Sequence, residues 1–449
     1  MMDDMVDHLA GLRDGPVWQK MPDDVRTSFG TGLPAAGVGA EAAYREFTAR
    51  IQPFVTGNTH PRFMGWVHGG GNPVSMLAEF LAGAMNANCG GRDHVGIAVE
   101  RQVIGWAADM LGMPEDTSGV LLTGSSMANF IAVLCARYQA LGPAARAAGV
   151  GGAQLVAYAS AGVHRCVPGA MDMAGLGTDA LRLIPVDADF RIDITALQTA
   201  IAADIAAGKK PFLIVGTAGS VDVGAFDDLT SLRRIADMAG AWLHVDAAFG
   251  ALAALSPRLA PNLDGIANAD SVAFDFHKWA QVTYDAGCVL VRDAALHNAV
   301  FAQATNYLAA APRGLAGGQP WPCDLGPDLS RGFRALKVWM TITAYGAEAF
   351  GKIVDHSCAL AQHLVARIKN SNRLALLAPA QLNIVCFGVA GFSNEQTDNL
   401  VADLQEDGLF APSTTTINGR RAIRAAIVNH RTEQADIDAL VDEILRRAG

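Results

Sequence analysis

One pattern constrains this chain more than any other: the alternation that fills residues 56–300. Short β-rich runs at 120–122, 155–158, 212–216, 242–245, 271–274 and 288–291 are separated by helical stretches at 127–137, 195–207 and 227–239. Alternating β and α implies a mostly parallel sheet with helices on both faces. In sheets of this kind ligands bind beyond the carboxyl ends of the strands. The residues that follow each run are therefore the places to look for chemistry.

Two of these ends carry reactive side chains. The run at 271–274 leads through Asp275-Phe276 into His277-Lys278-Trp279, and the run at 242–245 ends in Asp246-Ala247-Ala248. A single lysine after a strand is commonplace on a surface, and a single aspartate there is commonplace as a turn or N-cap residue. The pair says more. A βαβ step of roughly 30 residues sets Asp246 and Lys278 on neighbouring strands. An amine and a carboxylate so placed meet two needs of pyridoxal 5'-phosphate. The aldehyde needs an amine, and the ring nitrogen needs a carboxylate that keeps it protonated and electron-withdrawing. The phosphate needs backbone N–H groups. Thr123-Gly124-Ser125-Ser126, between the run at 120–122 and an apolar helix, offers a helix N-terminus with hydroxyls. His164, after the run at 155–158, could stack on the ring, and Thr217, after the run at 212–216, could hydrogen-bond to it.

Composition removes other classes. The net charge is −10 with no block of Lys or Arg, which argues against nucleic acid and anionic membrane as partners. The segment Met1-Met2-Asp3-Asp4-Met5-Val6-Asp7 is acidic where a secretory signal is basic and then apolar, so no secretion is expected. Seven scattered cysteines without a C-x-x-C fit a reduced, cytoplasmic protein better than a zinc site or a disulfide framework. His68-Gly69-Gly70-Gly71 resembles an esterase oxyanion motif. It lacks a companion G-x-S-x-G, because Gly124-Ser125-Ser126-Met127-Ala128 fails at its last position. There is no Walker A, no H-E-x-x-H and no dinucleotide fingerprint.

The whole constellation resembles the group II pyridoxal-phosphate-dependent decarboxylases, which include aromatic-L-amino-acid, glutamate and histidine decarboxylases. The resemblance covers nearly the whole chain. It runs from Met5-Val6-Asp7 and Pro16-Val17-Trp18 through His60-Pro61-Arg62-Phe63 and the Gly124-Ser125-Ser126-Met127-Ala128-Asn129 loop. It continues through His164, His244-Val245-Asp246-Ala247-Ala248, His277-Lys278-Trp279, Phe333-Arg334-Ala335-Leu336-Lys337-Val338-Trp339 and His430-Arg431-Thr432. It implies an α/β, type I (aspartate aminotransferase-like) fold with a mostly parallel central sheet. It also implies an N-terminal helical arm at 1–55, a cofactor domain at 56–312, a mobile loop and connecting helix at 313–345, and a small α/β domain at 346–449. Lys278 would bind the cofactor aldehyde, Asp246 would pair with the ring nitrogen, Ala248 would pack beneath the ring and His164 would stack over it. Gly124, Ser125, Ser126 and His277 would form the phosphate site, with Thr217 near the ring. The active unit would be a homodimer with its sites at the subunit interface and the arm wrapped on the partner.

The reaction so implied is decarboxylation of an L-amino acid to an amine, with Lys278, His164 and Asp246 catalytic. Trp66 and His68 favour an aromatic or large apolar substrate. Arg62 and Arg431 could instead bind a second carboxylate. Three departures from the family pattern stand out. Met127 replaces a frequent Glu, and Asp275 replaces an Asn frequent near the phosphate. The loop also has no Tyr between Tyr307 and Tyr345 to return a proton to the carbanion. The last departure opens an alternative, an aldehyde synthase that diverts the carbanion to oxygen. Cys323 and Asp324 are the loop groups that could substitute for the Tyr. Outside enzymes, the alternative is an inactive scaffold of the same fold.

Overall fold

The computed structural model describes residues 1–302 and 311–449. They form two compact units, one of Gly71–Asp355 and one that joins Met1–Gly70 to His356–Gly449. Twelve strands occur among the described residues: β1 Phe63–Met64, β2 Ser118–Leu122, β3 Leu155–Ser160, β4 Leu181–Ile184, β5 Lys210–Thr217, β6 Trp242–Asp246, β7 Ser271–Asp275, β8 Gly287–Val291, β9 Leu374–Leu376, β10 Ile384–Val389, β11 Ala411–Ile417 and β12 Arg420–Ala426.

The Gly71–Asp355 unit is built on a seven-stranded sheet in the order β2-β8-β7-β6-β5-β3-β4. Neighbours from β7 through β4 are parallel, and β8 runs against both β7 and β2. The carboxyl ends of β2, β7, β6, β5 and β3 therefore share one edge of the sheet. The helix Ser125–Leu141 buries Ala128, Ile131, Ala132, Cys135 and Ala136. That spacing gives one apolar helical face. The face packs on Ala157, Val215, Ala273 and Val289 from the sheet. Full burial of Ile131 alone contributes roughly 1.5–3 kcal/mol. At the start of β8, a Cβ on Gly287 would stand 2.4 Å from the Cα of Gly124. Only glycine lets β8 begin directly against the turn that opens this helix.

β2 is an edge strand, and its outward backbone groups at Leu121 are taken by an ion pair. Glu100 Oε1 accepts the Leu121 N–H at 2.9 Å, and Arg331 Nη2 donates to the Leu121 carbonyl at 2.5 Å. Arg331 also binds Glu100 through both ends of its guanidinium, at 2.6 and 2.9 Å. The two side chains imitate a neighbouring strand for one residue and so close the edge.

The second unit holds a five-stranded sheet in the order β1-β11-β12-β10-β9, antiparallel except between β1 and β11. Its core includes Leu364, Ile368, Phe387, Leu404, Ile423 and Leu440. Residues 1–55 are helical at Met2–Ala10, Asp23–Ser28 and Ala40–Arg50 and bury only Leu12 and Val17. They are joined to the C-terminal segment. Val17 packs with Phe63 and Ala411, and Arg13 Nη1 donates to both carboxylate oxygens of Asp436 at 3.1 Å.

These contacts regroup the segments expected from sequence. The arm and residues 56–70 join the C-terminal segment, because β1 pairs with β11. Residues 313–345 belong with the larger sheet. The loop at 308–330, whose glycines and prolines suggest few packed contacts, is anchored over its described residues from 311 on. Trp321 is buried, its indole N–H donates to Gly317 O at 2.8 Å, and the Arg92 guanidinium lies 4.8 Å from its ring centroid. Cys323 N–H reaches Gly90 O at 2.9 Å, and Arg101 donates to the carbonyls of Gly318 and Pro320 at 2.7 Å. Tyr307, just before it, lies outside the described residues. The seven cysteines are all free, and no helix among the described residues is long and apolar enough to cross a membrane.

Candidate active site

Register brings the reactive strand ends together. Thr217 on β5 lies opposite Asp246 on β6, and Asp246 lies opposite Ala273 on β7. Lys278 follows β7 by three residues. Its Nζ sits 2.9 Å from Asp275 Oδ2.

Asp246 is buried, with one oxygen engaged by backbone. Oδ1 accepts the Ala248 N–H at 3.1 Å, and among the described residues Oδ2 has only the Cys166 thiol, 4.0 Å away. Burial pushes the carboxyl above its ordinary range, against the opposing pull of the Lys278 and His164 charges. This is a carboxylate short of a cationic partner. Thr217 repeats the pattern. Its backbone is fixed by Asp227, with Thr217 N–H to Asp227 Oδ2 at 2.7 Å and Asp227 N–H to Thr217 O at 2.9 Å. Its hydroxyl is buried without a hydrogen-bond partner. A protonated ring nitrogen and a ring oxygen are the kinds of groups that would complete these two side chains, so the donor set fits a pyridoxal ring.

His164 lies between β3 and the helix Cys166–Met173, where its Nδ1 accepts the Cys166 N–H at 3.3 Å. Burial pulls the imidazole below its ordinary range despite the nearby Asp246 carboxylate. His277 is buried, and its Nδ1 accepts the Ala286 N–H at 3.0 Å, which leaves the proton on Nε2. Its ring lies 4.2 Å from that of Tyr284, and burial lowers its pKa to about 4.

At the expected phosphate end, Ser126 is exposed and Gly124 begins the helix. Ser125 is already engaged by protein. It is buried and gives its N–H to Asp275 Oδ1 at 2.6 Å and its hydroxyl to Asp275 Oδ2 at 2.7 Å. The four residues read as substrate-binding all lie in the other unit. Arg62 Nε is held by Asp436 at 3.0 Å, its guanidinium lies 5.1 Å from the Phe410 ring centroid, and Arg431 Nη1 donates to Gly70 O at 2.9 Å. Trp66 is half exposed and groups with Phe63 and His68 at centroid distances of 5.8–6.0 Å.

Sequence reasoning missed the supports of the site. Cys166 beside Asp246 and Asp227 beneath Thr217 have no local motif, and Asn129 and His244, though each stands in a motif, give no sign of the chain Asn129–His244–Ser271 at 2.8 Å per link. A buried aspartate just before a helix, as at Asp227-Asp228, is the one signal that could have drawn attention.

A strand-end lysine, a buried carboxylate on the next strand and a helix N-terminus define a pyridoxal-phosphate enzyme. The chain belongs to the family of the pyridoxal-dependent decarboxylase conserved domain, whose model matches residues 22–390. It is 30% identical over 465 residues to an aromatic-L-amino-acid decarboxylase of Bacillus atrophaeus, covering 99% of this chain and 94% of that one. It is also 30% identical over 379 residues to an L-2,4-diaminobutyrate decarboxylase of Acinetobacter baumannii, covering 80% of this chain and 73% of that one. A crystal structure of Oryza sativa TDC with PLP and tryptamine superposes with a TM-score of 0.92 at 24% identity, over 99% of this chain and 95% of that one. The chain is thus a carboxy-lyase of this family with pyridoxal phosphate as cofactor and the type I fold.

Proposed function

We propose that this enzyme decarboxylates an aromatic or large apolar L-amino acid to its amine, and that it works as a homodimer. The observation that carries the chemistry is the buried Asp246 carboxylate, which has no cation in hydrogen-bonding contact among the described residues and lies one strand from the Lys278 turn. When bound, pyridoxal phosphate supplies the electron sink for the bond that loses CO₂. Asp246 Oδ2 would accept from the protonated ring nitrogen, and Thr217 Oγ1 would bond to the ring. Lys278 would hold the cofactor through its aldehyde, and Ala248 would cover one ring face. His164 is kept neutral at neutral pH by burial, so it can cover the other face without setting a second cation beside the protonated nitrogen. Ser126 and His277 serve the phosphate end.

The substrate reading rests on what the arginines already do. Arg62 is paired with Asp436 and Arg431 with a backbone carbonyl, so neither offers an idle cation to an acidic side chain. Trp66, stacked with His68 and backed by the buried Phe63, remains exposed. The homodimer reading rests on apolar surface. Leu77, Phe80, Leu81 and Met85 line one face of the helix Pro73–Met85 at 39–61% exposure. A continuous apolar helix face left in water marks an interface, and a second copy is the occupant a shared active site calls for.

The test is CO₂ release across a panel of aromatic, apolar, acidic and basic amino acids, with product amine and peroxide measured together. Amine formation from aromatic substrates is expected. Release confined to acidic or diamino substrates would overturn the substrate reading, and stoichiometric peroxide would favour an aldehyde synthase. Sedimentation should report a dimer, and deletion of residues 1–55 should give aggregates or inactive monomer. A soluble, fully active monomer would refute the dimer.

A further inference from the structure

Asp275 puts a carboxylate where a ligand would otherwise bring an anion. The helix Ser125–Leu141 has 17 residues, and its own N-cap, Gly124, provides no side-chain cap. Its first turn presents the positive end of the helix dipole, and the N–H groups of Met127 and Ala128 already turn back to Gly124 O at 3.0 and 3.2 Å, which leaves those of Ser125 and Ser126 facing outward. Asp275, 150 positions away at the end of β7, supplies the missing acceptor through its two bonds from Ser125. The same Oδ2 lies 2.9 Å from Lys278 Nζ and 3.7 Å from His277 Nε2, in a carboxyl that is 2% exposed. Three residues, Ser125, Lys278 and His277, thus converge on one buried carboxylate, and each was expected to serve the cofactor. Ser126, the next residue along the helix, remains open.

We propose that Asp275 is a resident anion at the phosphate end of the site: a positioning residue that holds Ser125 and Lys278 and, by like-charge repulsion, limits how tightly the cofactor phosphate binds. This rests on the reading that pyridoxal phosphate occupies this site. The phosphate is then served by the N–H and hydroxyl of Ser126 rather than by Ser125, since the N–H groups of Met127 and Ala128 are bonded to Gly124 O. Its contribution to cofactor affinity is smaller than an uncontested helix N-terminus would give. Asparagine at this position would still accept the Ser125 N–H through its amide oxygen but would carry no charge.

The experiment separates phosphate from ring. Apoprotein of wild type, Asp275→Asn and Ser125→Ala is titrated by calorimetry with pyridoxal phosphate and, separately, with pyridoxal, which lacks the phosphate. The ratio of the two dissociation constants reports what the phosphate adds. Asp275→Asn is expected to raise that ratio at least about tenfold while changing pyridoxal affinity less than about threefold. Ser125→Ala is expected to leave the ratio within about threefold of wild type, because its hydroxyl serves Asp275. An unchanged or lowered ratio in Asp275→Asn would overturn the inference. So would a selective tenfold loss in Ser125→Ala, which would put the phosphate on Ser125. A wild-type apoprotein that binds neither compound would sink the cofactor reading itself, a different failure. Should Asp275→Asn not fold, the Ser125→Ala ratio still decides.

Discussion

Replacing Asp246 by Asn keeps the shape of the side chain and the bond from the Ala248 N–H, and removes one charge. Without that charge the ring nitrogen is no longer held protonated, so turnover should fall by at least about a hundredfold, the scale of losing one preorganised electrostatic contact. Burial pushes this carboxyl up, so the apoprotein stores an unfavourable buried charge that the amide lacks. The variant apoprotein should therefore melt no lower than wild type. Loss of turnover with an unchanged melting curve is the expected pair of measurements; near-normal activity would contradict the role of Asp246. Covalency has its own check. Borohydride reduction and peptide mapping should place the pyridoxyl group on Lys278, and finding it on Lys337 or Lys352 would move the site. Lys278 and Asp246 were legible in the sequence because each closes an apolar run, and strand ends converge in a parallel sheet. The tie between Asp275 and Ser125 was not. It joins residues 150 positions apart, and the sequence suggested only that a carboxylate there should avoid a phosphate.

The elements that could be read were those with a pattern of their own. Strands β5, β6, β7 and β8 are buried along nearly their whole length and stand out as apolar runs. β11 was missed because Pro412 and four Ser or Thr residues disguise it, although it is paired on both sides. The segment 313–330 misled in the opposite direction. Its glycines and prolines suggest few contacts, yet Trp321 and the neighbouring carbonyls tie it down. The edge of β2 was invisible for a further reason. No local pattern reveals that Glu100 and Arg331, in separate parts of the chain, will serve as a substitute strand. Arg331→Met tests that arrangement. It leaves the Glu100 charge buried and the Leu121 carbonyl unmatched, so unfolding stability should drop by about 3–5 kcal/mol. Combining it with Glu100→Met removes the stranded charge and should recover part of the loss. Recovery should be incomplete, because the Leu121 N–H and carbonyl still lack partners. Denaturant midpoints of the two variants check this. A double variant no better than the single would show that the backbone bonds, and not the charge, dominate.

For the molecule as a whole, the buried histidines set an acid limit. His60, His244, His277 and His297 are all buried, and burial lowers each to a pKa of about 4. In the unfolded chain each titrates near 6.5. Between those values the unfolded state binds more protons than the folded one, so stability must fall as pH falls from about 6.5 toward 4. Asp227 works the other way. Burial raises it to about 6, so between about 4 and 6 the folded state retains a proton that the unfolded chain releases. Burial lowers His430 to about 4 as well, so one group opposes five and unfolding near pH 5 takes up about four protons, a slope on the order of 5 kcal/mol per pH unit. The thermal midpoint should therefore decline steeply below about pH 6.5 and vary little from there to pH 8. Calorimetry in buffers of different ionisation enthalpy should count the protons directly. The sites can be separated by substitution. His297 bridges Ser118 and the Leu325 carbonyl through its two ring nitrogens, at 2.9 and 2.8 Å. His297→Gln keeps hydrogen-bonding groups at both ends and removes one titration. The variant should show a shallower acid slope by about one proton, with little change in midpoint at neutral pH. An unchanged slope in His297→Gln would mean that this imidazole accepts its proton while still folded.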